Sequence, residues 1–207
     1  MRWWWLLCLL LIRVGGAALW KLRAFGTANL PREGGVLLAS NHQSLLDPPL
    51  VASCLFPREM HFMARRSLFR NPVFRALIVR CNAFAIQRDT ADVKGVKEAI
   101  ARLEAGNILL VFPEGTRTRN GSIGPMKAGV GTLAERAAVP IVPVLIEGAY
   151  EAWPKGALLP RLGRIRIVFG KPLPSGSGLG TDAGERIRDA VAGLRKGEKQ
   201  GCRTGSW

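Results

Sequence analysis

Short apolar runs, recurring between stretches of helical periodicity, constrain this chain more than any other feature. Val36–Ala39, Met60–Ala64, Ala83–Ile86, Asn107–Phe112, Ile141–Ile146 and Arg164–Phe169 read as strands. Pro49–Leu55, Val73–Val79, Asp92–Glu104 and Lys127–Ala138 read as helices, and Thr181–Leu194 as a final amphipathic one. In Asp92–Glu104 the apolar residues Val93, Val96, Ile100 and Leu103 recur at helical spacing, so that helix faces a core. Strand and helix alternate throughout, which implies an α/β fold with a mostly parallel sheet flanked by helices. A length of 207 residues suits a single domain with a sizeable core. No internal repeat is evident.

Two of the turns carry chemistry. In "NHQSLLD", Asn41–Asp47, a histidine and a carboxylate lie five positions apart. Imidazole is the side chain whose ordinary pKa lies near neutrality, which makes His42 a natural proton acceptor. A neighbouring carboxylate can hold one ring nitrogen protonated and leave the other free as a base. On one continuous helix a spacing of five would point the two side chains apart. His42 is therefore placed in a turn after a strand, with Asp47 just ahead of a helix that Pro48 opens. In that position Asp47 also suits an N-cap.

The second turn, "FPEGTR" at Phe112–Arg117, follows the apolar run Asn107–Phe112. Ligands of α/β sheets bind where strands end at their carboxyl side. Gly115 permits close backbone approach, Thr116 offers a hydroxyl and Arg117 a planar fork suited to phosphate. Glu114 suits a substrate hydroxyl or an arginine partner. Lys127 is a weaker candidate for the same anion and also reads as a solvated lysine at a helix start. His61, in "MHFMA", reads as structural. With two histidines and no cysteine pair at ligand spacing, no metal site is read.

Thirty Lys and Arg against fifteen Asp and Glu give a formal charge of +15, which calls for an anionic partner. The basic residues are scattered, without a nucleic-acid module, so the partner read here is an anionic membrane surface and not nucleic acid. The N-terminus agrees. "MRWWWLLCLLLIRVGGAALW" is apolar but for Arg2 and Arg13, and its tryptophans suit a membrane interface. It is marginal for a full span, and an embedded hairpin or an interfacial helix fits as well. Arg2, Arg13, Lys21 and Arg23 are placed to reach lipid head groups. The expected organisation is a membrane anchor over 1–24, a main domain over 25–195 and a polar tail over 196–207. Cys8, Cys54, Cys81 and Cys202 show no disulfide framework and read as reduced, cytoplasm-facing thiols.

Taken in order, these segments resemble the glycerolipid acyltransferase family, and most of all the lysophosphatidic acid acyltransferases of bacteria. That family is marked by a histidine and an aspartate separated by four residues, here His42 and Asp47. A second block is "NAFAIQR", Asn82–Arg88, a third is "FPEGTR", and a fourth is "VPIVPV", Val139–Val144. The resemblance covers about Phe25 to Lys171. In the second block Asn82 stands where glycine is usual and Ala85 where proline is usual, while Arg88 is kept.

The resemblance implies strands sandwiched by helices, a tunnel for an acyl chain and a direct transfer. His42, oriented by Asp47, would take the proton of an acceptor hydroxyl, which attacks the thioester of acyl-coenzyme A or acyl carrier protein. Arg88 and Arg117 would bind the acceptor phosphate, while Glu114, Gly115 and Thr116 would position its glycerol part. The product would be phosphatidic acid, made from a lysophospholipid acceptor at the cytoplasmic face of the inner membrane. No cofactor is implied beyond the acyl thioester as co-substrate. Two alternatives stay open: a different lysolipid or glycerol phosphate as acceptor, and a catalytically inactive basic membrane-binding protein.

Overall fold

In the computed structural model of the chain, which describes residues 3–87, 92–173 and 182–195, the apolar runs become one sheet. Its strands are β1 (Arg23–Phe25), β2 (Val36–Ser40), β3 (Met60–Arg65), β4 (Ala83–Ile86), β5 (Ile108–Val111), β6 (Ile141–Glu147) and β7 (Arg166–Phe169). They stand in the order β1-β7-β6-β2-β5-β3-β4, and every neighbouring pair is parallel except β6 with β7. The helices are α1 (Trp3–Trp20), α2 (Asp47–Ser53), α3 (Pro72–Arg80), α4 (Val93–Glu104), α5 (Gly129–Arg136), α6 (Ala149–Ala152) and α7 (Ala183–Gly193).

The central strands are apolar without alternation because helices cover both of their faces. Val36, Leu38, Ile108 and Leu110 pack with Leu9 and Trp20 of α1 and with Leu50 and Val51 of α2. The intervening residues Leu37, Leu109, Val111 and Leu145 pack with Leu103 of α4, Leu133 of α5 and Val191 of α7. One-residue alternation along each strand thus feeds two cores. The chain runs from β2 outward to β3 and β4, returns to β5, then crosses to β6 on the far side of β2. The strand order therefore reverses around β2 and β5, and the carboxyl ends there form the natural crevice of the fold.

The structure departs from the expectations in several places. α2 begins at Asp47, one residue before Pro48, and Asp47 does not cap it: the N-cap position is Leu46, without a side-chain cap. Asp92 stands just outside α4 as its N-cap, its carboxylate accepting from the Gly95 amide at 2.9 Å. Hydrogen bonds from the Gln87 and Gly95 amides hold its carboxyl below the usual range. β1 and α6 were not expected; one is three residues long and the other a single turn. β7 starts at Arg166, two residues later than its apolar run.

The N-terminal segment forms one continuous helix and not a hairpin. It lies against α2, and among the described residues no helix is long and apolar enough to cross a membrane. The charge that interrupts its apolar run has a local explanation. Arg13 turns one guanidinium nitrogen inward to donate to the Ser53 carbonyl at the end of α2, at 3.1 Å. The first strand starts at Arg23, inside the segment expected as a separate anchor, and Leu9 and Trp20 are part of the core. Arg88 and the 196–207 tail lie outside the described residues.

Candidate active site

β2 ends at Ser40, and the turn that follows is tied down by its own side chains. Asn41 imitates a strand residue toward β6: its Nδ2 donates to the Ile146 carbonyl at 2.9 Å and its Oδ1 accepts from the Ile146 amide at 2.8 Å. Gln43 accepts from the Ala149 and Tyr150 amides at 3.1 and 3.2 Å, which docks the start of α6 onto the same turn. The His42 carbonyl accepts from the Thr118 amide at 2.8 Å, and the His42 amide donates to Glu114 Oε1 at 3.0 Å. Five partner residues thus fix a turn of six residues between a strand and a helix.

Within that frame His42 meets Asp47. His42 Nδ1 lies 2.8 Å from Asp47 Oδ2. The same oxygen accepts from the amides of Gln43 at 2.6 Å and Ser44 at 2.8 Å. The aspartate side chain is fully buried, whereas that of the histidine retains 12% of its exposure. Two backbone amides and the imidazole thus converge on one carboxylate oxygen. With that oxygen as the acceptor, the ring proton sits on Nδ1 and Nε2 is left as the free lone pair. The ring is also held flat against Phe112, with centroids 3.9 Å apart and planes 15° from parallel. The base is therefore fixed in tautomer, in position and in plane.

The "FPEGTR" turn closes over β5 next to this pair. The Gly115 amide donates to the Phe112 carbonyl at 3.0 Å, and Gly115 has a φ of +71°, which favours glycine. A Cβ at Gly115 would lie 3.7 Å from Lys127 Nζ, so that ammonium leans over the turn instead of pointing away. Glu114 does not reach outward. Its two oxygens accept from the amides of His42, at 3.0 Å, and Gly124, at 3.3 Å. Burial raises its carboxyl pKa above the usual value, and these two hydrogen bonds offset part of that shift. Thr116 is exposed and Arg117 half-buried on the same turn. His42, Asp47, Glu114, Gly115, Thr116, Arg117 and Lys127 therefore converge on the carboxyl ends of β2 and β5. A cleft of about 540 Å³ opens at the ends of β3 and β4, two strands away from His42, lined by Arg65, Arg66, Arg70 and Gln87 among others.

A buried base–acid pair beside a cationic turn matches what comparison with known proteins finds. Residues 21–147 match the acyltransferase family. The chain belongs to that family. Among curated relatives, the 1-acyl-sn-glycerol-3-phosphate acyltransferase of Bacillus subtilis is 29% identical over 152 residues, 73% of each chain. The protein of the same name from Streptococcus pneumoniae is 31% identical over 138 residues, 66% of this chain and 49% of that one. The chain spans less than half of some longer relatives, such as the coconut protein, of which it covers 44%. Among solved structures, the 1-acyl-sn-glycerophosphate acyltransferase PlsC of Thermotoga maritima superposes with a TM-score of 0.78 at 25% identity. That match covers 95% of this chain and 80% of the other.

In this member of the acyltransferase family, His42 is supported by residues that the motifs alone did not single out. Phe112 and Thr118 touch the His42 turn from positions far apart in sequence, and Asn41 and Gln43 carry it to β6 and α6. Asn41 and Ile146, for instance, are 105 residues apart. The only signal available beforehand was polarity inside a stretch that otherwise reads as core: Asn41, Gln43 and Ser44 are all buried. The unusual second block also gains an explanation. Asn82 adopts a φ of +60°, the left-handed region that glycine enters freely and asparagine tolerates best among the other residues. Ala85 is exposed on β4, at the edge of the sheet.

Proposed function

We propose that this acyltransferase moves a fatty acyl group from an acyl thioester to the free hydroxyl of lysophosphatidic acid, producing phosphatidic acid. The observation that carries the reading is the His42–Asp47 pair, 2.8 Å apart at the carboxyl end of β2, with the aspartate buried. The names of the bacterial relatives support the acceptor.

The mechanism follows from the geometry. His42 Nε2 takes the acceptor's hydroxyl proton as its oxygen attacks the thioester carbonyl carbon. The imidazolium that forms is stabilised by Asp47. The tetrahedral adduct collapses, the carbon–sulfur bond breaks, and the proton on His42 passes to the leaving thiolate. No acyl-enzyme forms. General base action of this kind contributes roughly 10²–10⁴-fold in rate. Arg117 and the ammonium of Lys127 supply positive charge beside the turn for the acceptor phosphate, and Arg88 belongs to the same role by family resemblance. The arginine-lined cleft gives a second cationic wall at the same end of the sheet.

The reading extends to location: α1 lies in the membrane interface at the cytoplasmic face. Support comes from Leu7, Leu10, Leu11, Val14 and Leu19, which stay exposed along a helix otherwise packed on α2. The test of the acceptor is thiol release from a long-chain acyl-coenzyme A in mixed micelles, comparing lysophosphatidic acid, lysophosphatidylcholine and glycerol phosphate. Release with lysophosphatidic acid alone is the expected result, and release with only another of the three would reassign the acceptor.

A further inference from the structure

Between α6 and β7 the chain leaves the fold in a loop built unlike the others. Its neck is pinned at both ends. At the start, the Trp153 carbonyl accepts from Ser44 Oγ at 2.9 Å, and Trp153 Nε1 donates to the Ala157 carbonyl at 2.9 Å. At the end, the Arg161 amide donates back to the Ala152 carbonyl at 2.7 Å, closing the two ends on each other. The returning strand is fastened to α1: Trp20 Nε1 donates to the Arg161 carbonyl at 2.8 Å, and the Ile165 amide donates to the Trp20 carbonyl at 2.8 Å. Gly148, at φ +82°, lies where any Cβ would run into the Arg164 carbonyl, so the base of the loop has no slack.

The tip held by this neck is apolar and faces solvent. Leu158 is 90% exposed, Leu159 73% and Leu162 77%. Three leucines this exposed within five residues are unusual on a folded surface, since each forgoes the burial that leucine gains elsewhere. Lys155, Arg161 and Arg164 flank them, all exposed, with no acidic residue between Lys155 and Arg164. Apolar side chains ringed by cations suit a surface whose interior is hydrocarbon and whose face is anionic. The loop is continuous with the exposed leucines of α1 through the Trp20 hydrogen bonds. Through Ser44 it is also tied to the turn that carries His42.

We propose that the 154–164 loop is a second membrane-docking element, which inserts Leu158, Leu159 and Leu162 into an anionic bilayer and seats the catalytic turn at the lipid surface. The inference goes beyond the acceptor assignment and does not depend on which hydroxyl is acylated. The loop and α1 would form two feet on one plane, so that a lipid acceptor reaches His42 without leaving the interface.

The experiment places an environment-sensitive fluorophore on the full chain at Leu159→Cys, in a background of Cys8→Ser, Cys81→Ser and Cys202→Ser. A control carries it at Glu98→Cys on α4. Vesicles of phosphatidylcholine with phosphatidylglycerol are added, with and without lipids bearing a quencher in the acyl region. The expected result is a blue shift and roughly twofold or greater quenching at position 159, with neither at position 98. Lys155→Gln, Arg161→Gln and Arg164→Gln together should weaken partition to these vesicles by on the order of tenfold, and leave partition to pure phosphatidylcholine unchanged. Vesicle binding without any change at position 159 would overturn the proposal and leave α1 as the sole attachment. No vesicle binding at all would overturn it as well, as would a protected label in vesicle-free solution that depends on protein concentration, which would assign the leucines to a second copy of this chain. Thiol release in detergent micelles, measured on the same variants, reports separately on the acylation chemistry.

Discussion

Glu114 Oε1 accepts the backbone amide of His42 at 3.0 Å, so the acid of the "FPEGTR" turn holds the backbone of His42. Its other oxygen holds Gly124. Glu114 thus links the ends of β2 and β5. Glu114→Ala should lower kcat by roughly 10- to 100-fold with a smaller change in KM, because displacing a base by about an ångström has effects of that size. Glu114→Gln keeps one acceptor oxygen for His42 and should fall between the two. Steady-state kinetics with saturating acceptor would separate this from a direct role in acceptor binding, where KM would carry the loss.

Asp47→Asn should leave the fold intact and reduce turnover by roughly 10²–10⁴-fold. The amide is nearly isosteric, and its oxygen can still accept from Gln43 and Ser44. It removes the charge that stabilises the imidazolium, and its NH2 group would occupy the place of Asp47 Oδ1, which has no hydrogen-bond partner among the described residues. Circular dichroism together with single-turnover rates would show whether the loss is chemical and not structural.

His61 gives the structure an acid-sensitive contact. Its Nδ1 lies 2.6 Å from Arg102 Nη1, and burial first, then the Arg102 charge, lowers its pKa from 6.5. Below the ordinary value the unfolded chain takes up a proton that the folded chain resists, so this residue's contribution to stability falls as pH drops through 6.5. Urea midpoints at about pH 7.5 and about pH 5.5 should therefore fall further apart in the wild type than in His61→Gln. An equal fall in both proteins would remove His61 from the pH response.

Asn82, at φ +60°, should accept glycine at little cost and resist side chains that avoid that region. Asn82→Ala should destabilise by about 1–2 kcal/mol, whereas Asn82→Gly should stay within about 0.5 kcal/mol of wild type. Chemical denaturation of the two variants decides it, and equal losses would mean that the Asn82 Nδ2–Glu59 contact at 3.2 Å matters more than the backbone.

What the sequence made legible was whatever depends on neighbours in the chain. β2, β5 and β6 were readable because burial on both faces leaves continuous apolar runs. The His42–Asp47 spacing pointed to a turn because it fits no helix. β1 is not legible in the sequence because three residues, one of them Arg23, carry no period, and it exists only through pairing with β7. The prolines that follow Asp47 predict a position outside its helix, but the donors at Gln43 and Ser44 hold it at the first helical position all the same. The inward direction of Glu114 was out of reach for the same reason as the Asn41–Ile146 clasp: both are set by where two distant turns meet.

The central claim is that His42 activates the acceptor hydroxyl directly. The most direct measurement follows thiol and ester together in rapid-quench single turnovers of a long-chain acyl-coenzyme A, with and without lysophosphatidic acid, for wild type and His42→Ala. The expected result is no thiol burst without acceptor, equal thiol and ester with it, and a rate lower by roughly 10²–10⁴-fold in the variant. A stoichiometric burst of thiol without acceptor, or wild-type rates in His42→Ala, would contradict it.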